Sequence, residues 1–271
     1  MRVAFQGEPG AYSEQAVYEY FGPVESKPCE SFEAAFAAVS SGACEYALIP
    51  IENSLAGSIH QNYDLLLRHS LFITGEHLLR VRHCLIALPG VHPTDIHKVI
   101  SHPQALGQCA DYLRRHGFKP EAVYDTAGSV KMLKDAGTRD IAAIASRRAA
   151  ELYGMQILEE DIEDDPENYT RFLAVAQTPV RPEGVAKTSI VFTLKNQPGA
   201  LFKALSVFAL RDIDLSKIES RPLAGKPWEY LFYIDFIGDE HEAQAAKALD
   251  HLREYAVMLR VLGCYHRFEE H

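Results

Sequence analysis

Thr170 and Arg171 stand side by side in the run Asn168-Tyr169-Thr170-Arg171-Phe172, a neutral hydrogen-bond donor next to a fixed cation. That pair suits chemistry on a small anionic substrate from which a hydroxyl group must depart. The threonine hydroxyl can donate to the leaving oxygen, and the guanidinium can fix a carboxylate bidentately. Threonine is too weak an acid to be the ultimate proton source at neutral pH. Neighbours on a strand face opposite ways, so Arg171 can also point away from Thr170; taken alone, the run reads first as an edge-strand threonine with a surface arginine. Three further polar runs fall at the ends of predicted strands. Glu52-Asn53-Ser54 offers a carboxylate that could orient a hydroxyl and two donors for a carboxylate, or plain turn chemistry. Ser101-His102 precedes Pro103, which suits the first turn of a helix. His102 could bind an anion, shuttle a proton or serve as a satisfied structural histidine. Thr126 and Ser129 place two hydroxyls at a helix start, with N-capping as the alternative. Gly7-x-x-Gly10-x-x-Ser13 lies between a strand and a helix, where backbone N–H groups can hold a carboxylate or phosphate. It is not the G-x-G-x-x-G dinucleotide fingerprint.

The elements that must position these residues follow from periodicity and punctuation. Strand Val3–Gln6 and the turn Gly7–Gly10 lead into a helix over Tyr12–Tyr20. Ser31 caps a helix in which Phe32, Ala35, Phe36 and Val39 recur, and Gly42 stops it. Strand Tyr46–Ile51 delivers Glu52, Asn53 and Ser54 into a loop ahead of a helix ending near Arg68. Leu71–Thr74 and His77–Leu88 read as extended runs parted by Gly75. A second α/β pattern then holds strand Val99–Ser101 and an apolar stripe of Leu106, Cys109, Ala110 and Leu113, closed by Gly117. Strand Ala122–Tyr124, helix Ser129–Lys134, strand Ile141–Ala145 and helix Arg147–Tyr153 follow. The acidic stretch Glu159–Glu167 leads to Tyr169–Phe172 and a strand over Leu173–Ala176. Alternating strands and helices predict parallel sheets covered on both faces, in two lobes with ligand binding at the strand carboxyl ends between them. Thr178–Gly184 is a linker by composition. Beyond it come strands Thr188–Leu194, Ile213–Ser220, Trp228–Ile237 and Val257–Gly263. Helices marked by Leu201, Ala204, Leu205 and Phe208 and by Glu240–Tyr255 complete a ferredoxin-like βαββαβ unit.

Composition narrows the function classes. The 271 residues leave room for two or three cores, and 47% hydrophobic with 24% charged residues is ordinary for a soluble globular protein. A formal net charge of −10 disfavours a nucleic-acid partner. It also requires any anionic substrate to be held by a local cluster of Arg, Lys, His and backbone N–H groups. Cys29, Cys44, Cys84, Cys109 and Cys264 are odd in number and lack a C-x-x-C pair, so they read as small core residues in a reducing compartment. No metal-ligand spacing is present. His266 and His271 read as part of a solvated tail. With no basic-then-apolar leader and no long apolar run, the expectation is a cytoplasmic protein with no membrane partner.

Taken in order, the four site motifs are followed by Asn196-Gln197-Pro198-Gly199-Ala200-Leu201 and Glu219-Ser220-Arg221-Pro222. The set resembles the prephenate dehydratase family with a C-terminal amino-acid-binding ACT domain, over nearly the whole chain. The resemblance implies an α/β two-lobed, periplasmic-binding-protein-like catalytic domain over 1–178, with the chain crossing back near Arg171–Ala176. Lobe 1 would be about 1–76 plus 173–178 and lobe 2 about 77–172, with a linker at 179–187 and an α+β ACT domain at 188–271. It implies decarboxylating dehydration of prephenate to phenylpyruvate, water and carbon dioxide in phenylalanine biosynthesis. Aromatisation drives that reaction, so no cofactor or metal is expected. Thr170 would be essential, with Arg171 and Glu52 as catalytic partners. Ser13, Asn53, Ser54, Ser101, His102, Thr126, Ser129 and Phe172 would surround the substrate, although Phe172 reads more simply as packing. L-Phenylalanine would be the allosteric effector, bound by Asn196, Pro198, Gly199, Ala200, Leu201, Phe202, Glu219, Ser220 and Arg221. Phe202 stands where related sequences often carry Tyr or Val. Such pockets often form across subunits, which implies a homodimer or homotetramer. Without a helical extension before Val3, no fused chorismate mutase is expected. Arogenate dehydration and a non-catalytic amino-acid sensor are the alternatives.

Overall fold

The computed structural model describes residues 1–223 and 229–268. The expected strand start at Trp228 and the tail residue His271 lie outside the described residues. Packing divides the chain into one unit of Met1–Leu65 with His77–Phe172 and another of Leu66–Glu76 with Leu173–His271.

The chain opens with β1 (Arg2–Gln6), α1 (Tyr12–Phe21), β2 (Glu25–Cys29), α2 (Phe32–Ser40), β3 (Tyr46–Asn53), β4 (Gly57–Ser58), α3 (His60–His69) and β5 (Phe72–Arg80). It continues with β6 (Cys84–Ala87), β7 (Lys98–Ser101), α4 (Pro103–Gln108), α5 (Ala110–His116), β8 (Lys119–Ala122), α6 (Thr126–Ala136), β9 (Ile141–Ala145), α7 (Arg147–Tyr153), β10 (Gln156–Glu159) and β11 (Tyr169–Ala176). One sheet runs β2-β1-β3-β11-β5 with β4 paired to β3, and a second runs β10-β6-β9-β7-β8. One expected cap is found and another is replaced. Ser31 accepts the Ala34 N–H, and Asp125, not Thr126, caps α6 through the Gly128 N–H at 2.7 Å.

Several local expectations give way. β3 runs on through Glu52 and Asn53 because both residues pair with β4, Glu52 opposite Ser58 and Asn53 opposite Gly57. β5 passes unbroken through Gly75, which serves as an extended residue there. The stripe through Cys109 is two helices broken at that residue (φ −120°, ψ 23°); Ala110 is exposed and Tyr112 takes the buried place. β8 ends at Ala122, where a strand was expected to begin, and its four residues are all exposed. The sheets are mixed, since β6 runs antiparallel to both β9 and β10. All five cysteines are buried and free.

Gly10 is held where few side chains fit. Its φ is +90°, and a Cβ there would lie 2.9 Å from the Ala149 Cα on α7. The Ser146 hydroxyl that caps α7 also donates to the Gly10 carbonyl at 2.6 Å. Gly10→Ala should cost at least the roughly 1–2 kcal/mol of a left-handed alanine, plus the clash with backbone. Thermal unfolding should show the loss.

The second unit carries β12 (Ala186–Leu194), α8 (Ala200–Ala209), β13 (Leu215–Pro222), β14 (Tyr230–Ile237), α9 (Ala243–Tyr255) and β15 (Ala256–His266). The strand order β13-β14-β12-β15, antiparallel throughout, is the ferredoxin-like arrangement. His266 ends β15, with its Nδ1 2.8 Å from the Glu183 carbonyl, so it is not in a loose tail. The helices pack on one sheet face around Phe192, Phe208, Phe236 and Leu249. The chain's own Leu66–Glu76 supplies partners for the sheet: Lys187 Nζ meets Glu76 Oε1 at 2.5 Å, and Arg260 donates to the Leu67 and Leu71 carbonyls. β12 is accordingly buried along its whole length.

Candidate functional site

A cavity of about 150 Å³ in the first unit gathers Tyr12, Asn53, Val81, His83, His102, Gln104, Ala105, Gln108, Thr126 and Thr170. Three helix starts contribute: Tyr12 opens α1, His102 caps α4 and Thr126 opens α6. Two strands supply the rest of the polar floor, Asn53 at the end of β3 and Thr170 near the start of β11.

Thr170 is oriented from one side. Asn53 is 8% exposed, and its Nδ2 lies 3.0 Å from Thr170 Oγ1, 2.8 Å from Asn168 Oδ1 and 3.1 Å from the Tyr169 carbonyl. The Asn53 Oδ1 accepts the N–H groups of Leu55 and Ala56, which fixes the direction of its amide. The Thr170 oxygen is thus an acceptor. Its own hydrogen has no protein acceptor among the described residues and is left to the cavity.

A second polar chain crosses the cavity wall. The Tyr12 hydroxyl lies 2.7 Å from His83 Nδ1 and 2.9 Å from the Arg82 carbonyl, and His83 Nε2 lies 2.9 Å from Gln108 Oε1. The Glu163 carboxylate accepts the His83 backbone N–H at 2.9 Å. Burial holds the His83 imidazole below its ordinary pKa and raises the Tyr12 phenol well above its own. The ring is therefore neutral and the phenol keeps its hydrogen near pH 7.

The expected site residues divide. Thr170, Asn53, His102 and Thr126 line the cavity; the others do not. Arg171 is buried on the strand face opposite Thr170 and pairs with Glu52 at 3.3 Å. Ser54 ties its loop to β11, donating to the Glu167 carbonyl and accepting the Tyr169 N–H. Ser101 is fully buried and donates to the Ile144 carbonyl, and Ser129 donates to the Thr126 carbonyl within α6. Phe172 is 1% exposed and belongs to the packing. Ser13 is inside α1 and does not line the cavity. The Gly7–Gly10 turn is no vacant anion cradle, because the Glu14 carboxylate takes the Gly10 N–H at 2.8 Å and pairs with Arg148. His102 Nδ1 accepts the Gln104 N–H at 3.2 Å, so one of its ring nitrogens is a helix cap. Of the expected cluster of Arg, Lys, His and backbone N–H groups, the cavity has the histidines His83 and His102, while no Lys or Arg lines it among the described residues. Amides, hydroxyls and imidazoles do the lining instead. Sequence reasoning missed Tyr12, Val81, His83, Gln104, Ala105 and Gln108. The four-residue spacing of Gln104 and Gln108 was the available signal, since it puts both on one helix face.

In the second unit, Asn196, Ala200 and Leu201 line a cavity of about 120 Å³ with Lys195, Gln197, Glu229, Tyr230 and Phe232. Gly199 adopts φ +78° as the N-cap of α8, while Pro198 and the 76%-exposed Phe202 stand outside the cavity. The second effector run does not converge on it. Ser220 pairs opposite Phe232, but Glu219 and Arg221 pair opposite Tyr233 and Leu231 and so face the other side of the sheet. Glu219 lies 3.9 Å from Lys217.

The fold and site define an α/β unit with a pocket lined by amides, hydroxyls and imidazoles, joined to a ferredoxin-like domain bearing its own pocket. The prephenate dehydratase family model matches residues 3–180 and the ACT domain model residues 188–254. Arogenate dehydratase/prephenate dehydratase 2, chloroplastic, of Arabidopsis thaliana is 51% identical over 276 residues, spanning 98% of this chain and 72% of that protein. Among solved structures, the prephenate dehydratase of Arthrobacter aurescens in complex with L-Phe is 32% identical with a TM-score of 0.89, covering 98% of this chain and 90% of that one. GqqA, described as a novel type of quorum quenching acylase, is 36% identical with a TM-score of 0.92, covering 98% of this chain and 97% of that one. The chain belongs to the prephenate dehydratase family, carbon–oxygen lyases of phenylalanine biosynthesis, and carries a C-terminal ACT domain.

Proposed function

We propose that the chain converts prephenate to phenylpyruvate, water and carbon dioxide in the Thr170 cavity, under control by L-phenylalanine bound to the ACT domain. The observation that carries the reading is the Thr170 hydroxyl, whose oxygen accepts from Asn53 and whose hydrogen is left to the cavity. In the reaction, the bond from the ring to its carboxylate breaks and its electron pair enters the ring. The carbon–oxygen bond on the opposite ring carbon breaks as the ring becomes aromatic. The departing hydroxyl takes up a proton and leaves as water. Thr170 stabilises charge as it grows on that oxygen. A cation on the ring carboxylate would hold back the charge that must pass into the ring, so a lining without Lys or Arg suits this step. Amide and hydroxyl donors suffice to anchor the side-chain carboxylate. Amide hydrolysis would instead need a nucleophile with an adjacent base, and Thr170 is bonded to an amide donor.

Arogenate, which carries an amino group in place of the side-chain ketone, fits the same chemistry, and several relatives bear both activities in their names. Purified protein incubated separately with prephenate and with arogenate decides between them. Phenylpyruvate from the first marks a prephenate dehydratase, phenylalanine from the second an arogenate dehydratase, and neither product removes the reading.

The effector reading rests on the turn Asn196–Leu201 and its cavity. Gly199→Val puts a β-branched residue at φ +78°, a position such residues avoid, with no atoms nearby to blame for a clash. We expect the variant to keep its dehydratase rate and lose its response to L-phenylalanine, measured by titrating the effector into the assay. Because Glu219 and Arg221 lie away from that turn within one chain, we also infer that a second copy completes the pocket. Light scattering should report a homodimer or homotetramer.

A further inference from the structure

His83 is a buried, ring-fixed side chain to which the reaction assigns no role. It is 2% exposed, its backbone N–H is held by Glu163, and its ring meets the Tyr12 ring edge-on with centroids 5.5 Å apart. Both ring nitrogens have partners, Tyr12 at Nδ1 and Gln108 at Nε2.

The hydrogens decide what this chain presents to substrate. A neutral imidazole carries one N–H, and the Tyr12 hydroxyl has one hydrogen for two neighbours, His83 Nδ1 and the Arg82 carbonyl. Two arrangements are self-consistent. In one, Tyr12 donates to Nδ1, His83 donates from Nε2 to the Gln108 carbonyl, and the Gln108 NH₂ is turned away from the ring. In the other, Tyr12 donates to Arg82, His83 donates from Nδ1 to Tyr12, and the Gln108 amide is reversed, so that its carbonyl faces away from the ring. Of the two, only the first leaves both hydrogens of the Gln108 NH₂ to an anion. Among the described residues the lining holds no Lys or Arg, so a dicarboxylate must be held by donors of this kind.

We propose that His83 is a positioning residue: donating from Nε2 to the Gln108 carbonyl, with Tyr12 fixing its tautomer, it holds the Gln108 NH₂ toward a substrate carboxylate. Glutamine alone would present either edge, and His83 selects one. The inference rests on the dehydratase reading, and turnover by the wild-type protein tests that reading separately.

The experiment is a double-mutant cycle read through kcat and KM. His83→Phe keeps a ring and removes both hydrogen-bonding nitrogens. It should raise KM about tenfold or more while kcat falls by much less. His83→Gln can return a donor to Gln108 and should recover part of the affinity. Gln108→Ala should raise KM similarly, and adding His83→Phe to it should change KM little further. Tyr12→Phe, which leaves the imidazole in place, should give a smaller rise in KM and serves if His83→Phe does not fold. An unchanged KM in folded His83→Phe overturns the proposal. So does an undiminished effect of His83→Phe in the Gln108→Ala background, or of Tyr12→Phe there, because a merely structural role would be additive.

Discussion

Thr170→Val is expected to lower turnover by about 10²-fold or more while substrate affinity changes little. Valine keeps the branched shape and the β-strand preference of the site, so β11 should form as before. What disappears is the one hydrogen that Thr170 has to give and the acceptor that Asn53 holds. The ground-state hydroxyl of the substrate gains little from that donor, but the departing oxygen carries growing negative charge and gains much. The loss therefore belongs in kcat. Asn53 retains Asn168 and the Tyr169 carbonyl as acceptors, so its amide is not stranded by the change. Thr170→Ser should keep part of the activity, because the donor survives with more rotational freedom. Steady-state kinetics on both variants, with the fold checked by circular dichroism, decide the matter. A folded valine variant with near-normal turnover would remove Thr170 from the mechanism.

Part of the site was legible because some motif residues sit at element ends, where sequence punctuation is strongest. Thr126 follows its capping Asp125, His102 precedes Pro103, and Thr170 is the second residue of β11. What misled was adjacency. Glu52 and Arg171 neighbour cavity residues in sequence, yet the period of two along β3 and β11 turns them to the opposite face, where they pair with each other. Ser101 and Ser129 look like site hydroxyls, but each has a backbone carbonyl within 2.6 Å that it satisfies. The pairing of His83 with Gln108 was invisible for the converse reason. They are 25 residues apart, and only tertiary packing brings an imidazole edge to that amide. The same holds for β2, whose run Glu25-Ser26-Lys27-Pro28-Cys29 has no apolar alternation and is a strand because β1 pairs with it along its length. The segment Leu66–Glu76 carries no sign in its composition that it packs with the C-terminal sheet.

Gly263→Ala is expected to destabilise the second unit by about 3 kcal/mol, the upper end of typical overpacking costs, or more. A Cβ added at Gly263 would lie 2.1 Å from the Ile73 carbonyl oxygen and 2.9 Å from the Ile73 nitrogen and carbonyl carbon. These are backbone atoms, so no side chain can rotate aside; either β15 or the Leu66–Glu76 segment must move. Gly263 is not among the glycines with positive φ, so alanine suffers no conformational penalty there, and the effect isolates the clash. Gly199 is the opposite case, with a left-handed φ and empty space. The neighbouring contacts make movement costly. Lys187 and Glu76 form a buried ion pair, the Phe268 N–H also donates to Glu76, and Arg260 spans the Leu67 and Leu71 carbonyls. Separating the segment from the sheet would leave those charges unpaired. A loss of that size corresponds to roughly 6–12 °C in Tm at about 2–4 °C per kcal/mol, readable by calorimetry. Strand β5 leads from this segment to Arg80, and Val81 lines the cavity. An alanine variant with unchanged Tm would mean that β15 does not lie against Ile73, and the account of how the sheet is covered would fall with it.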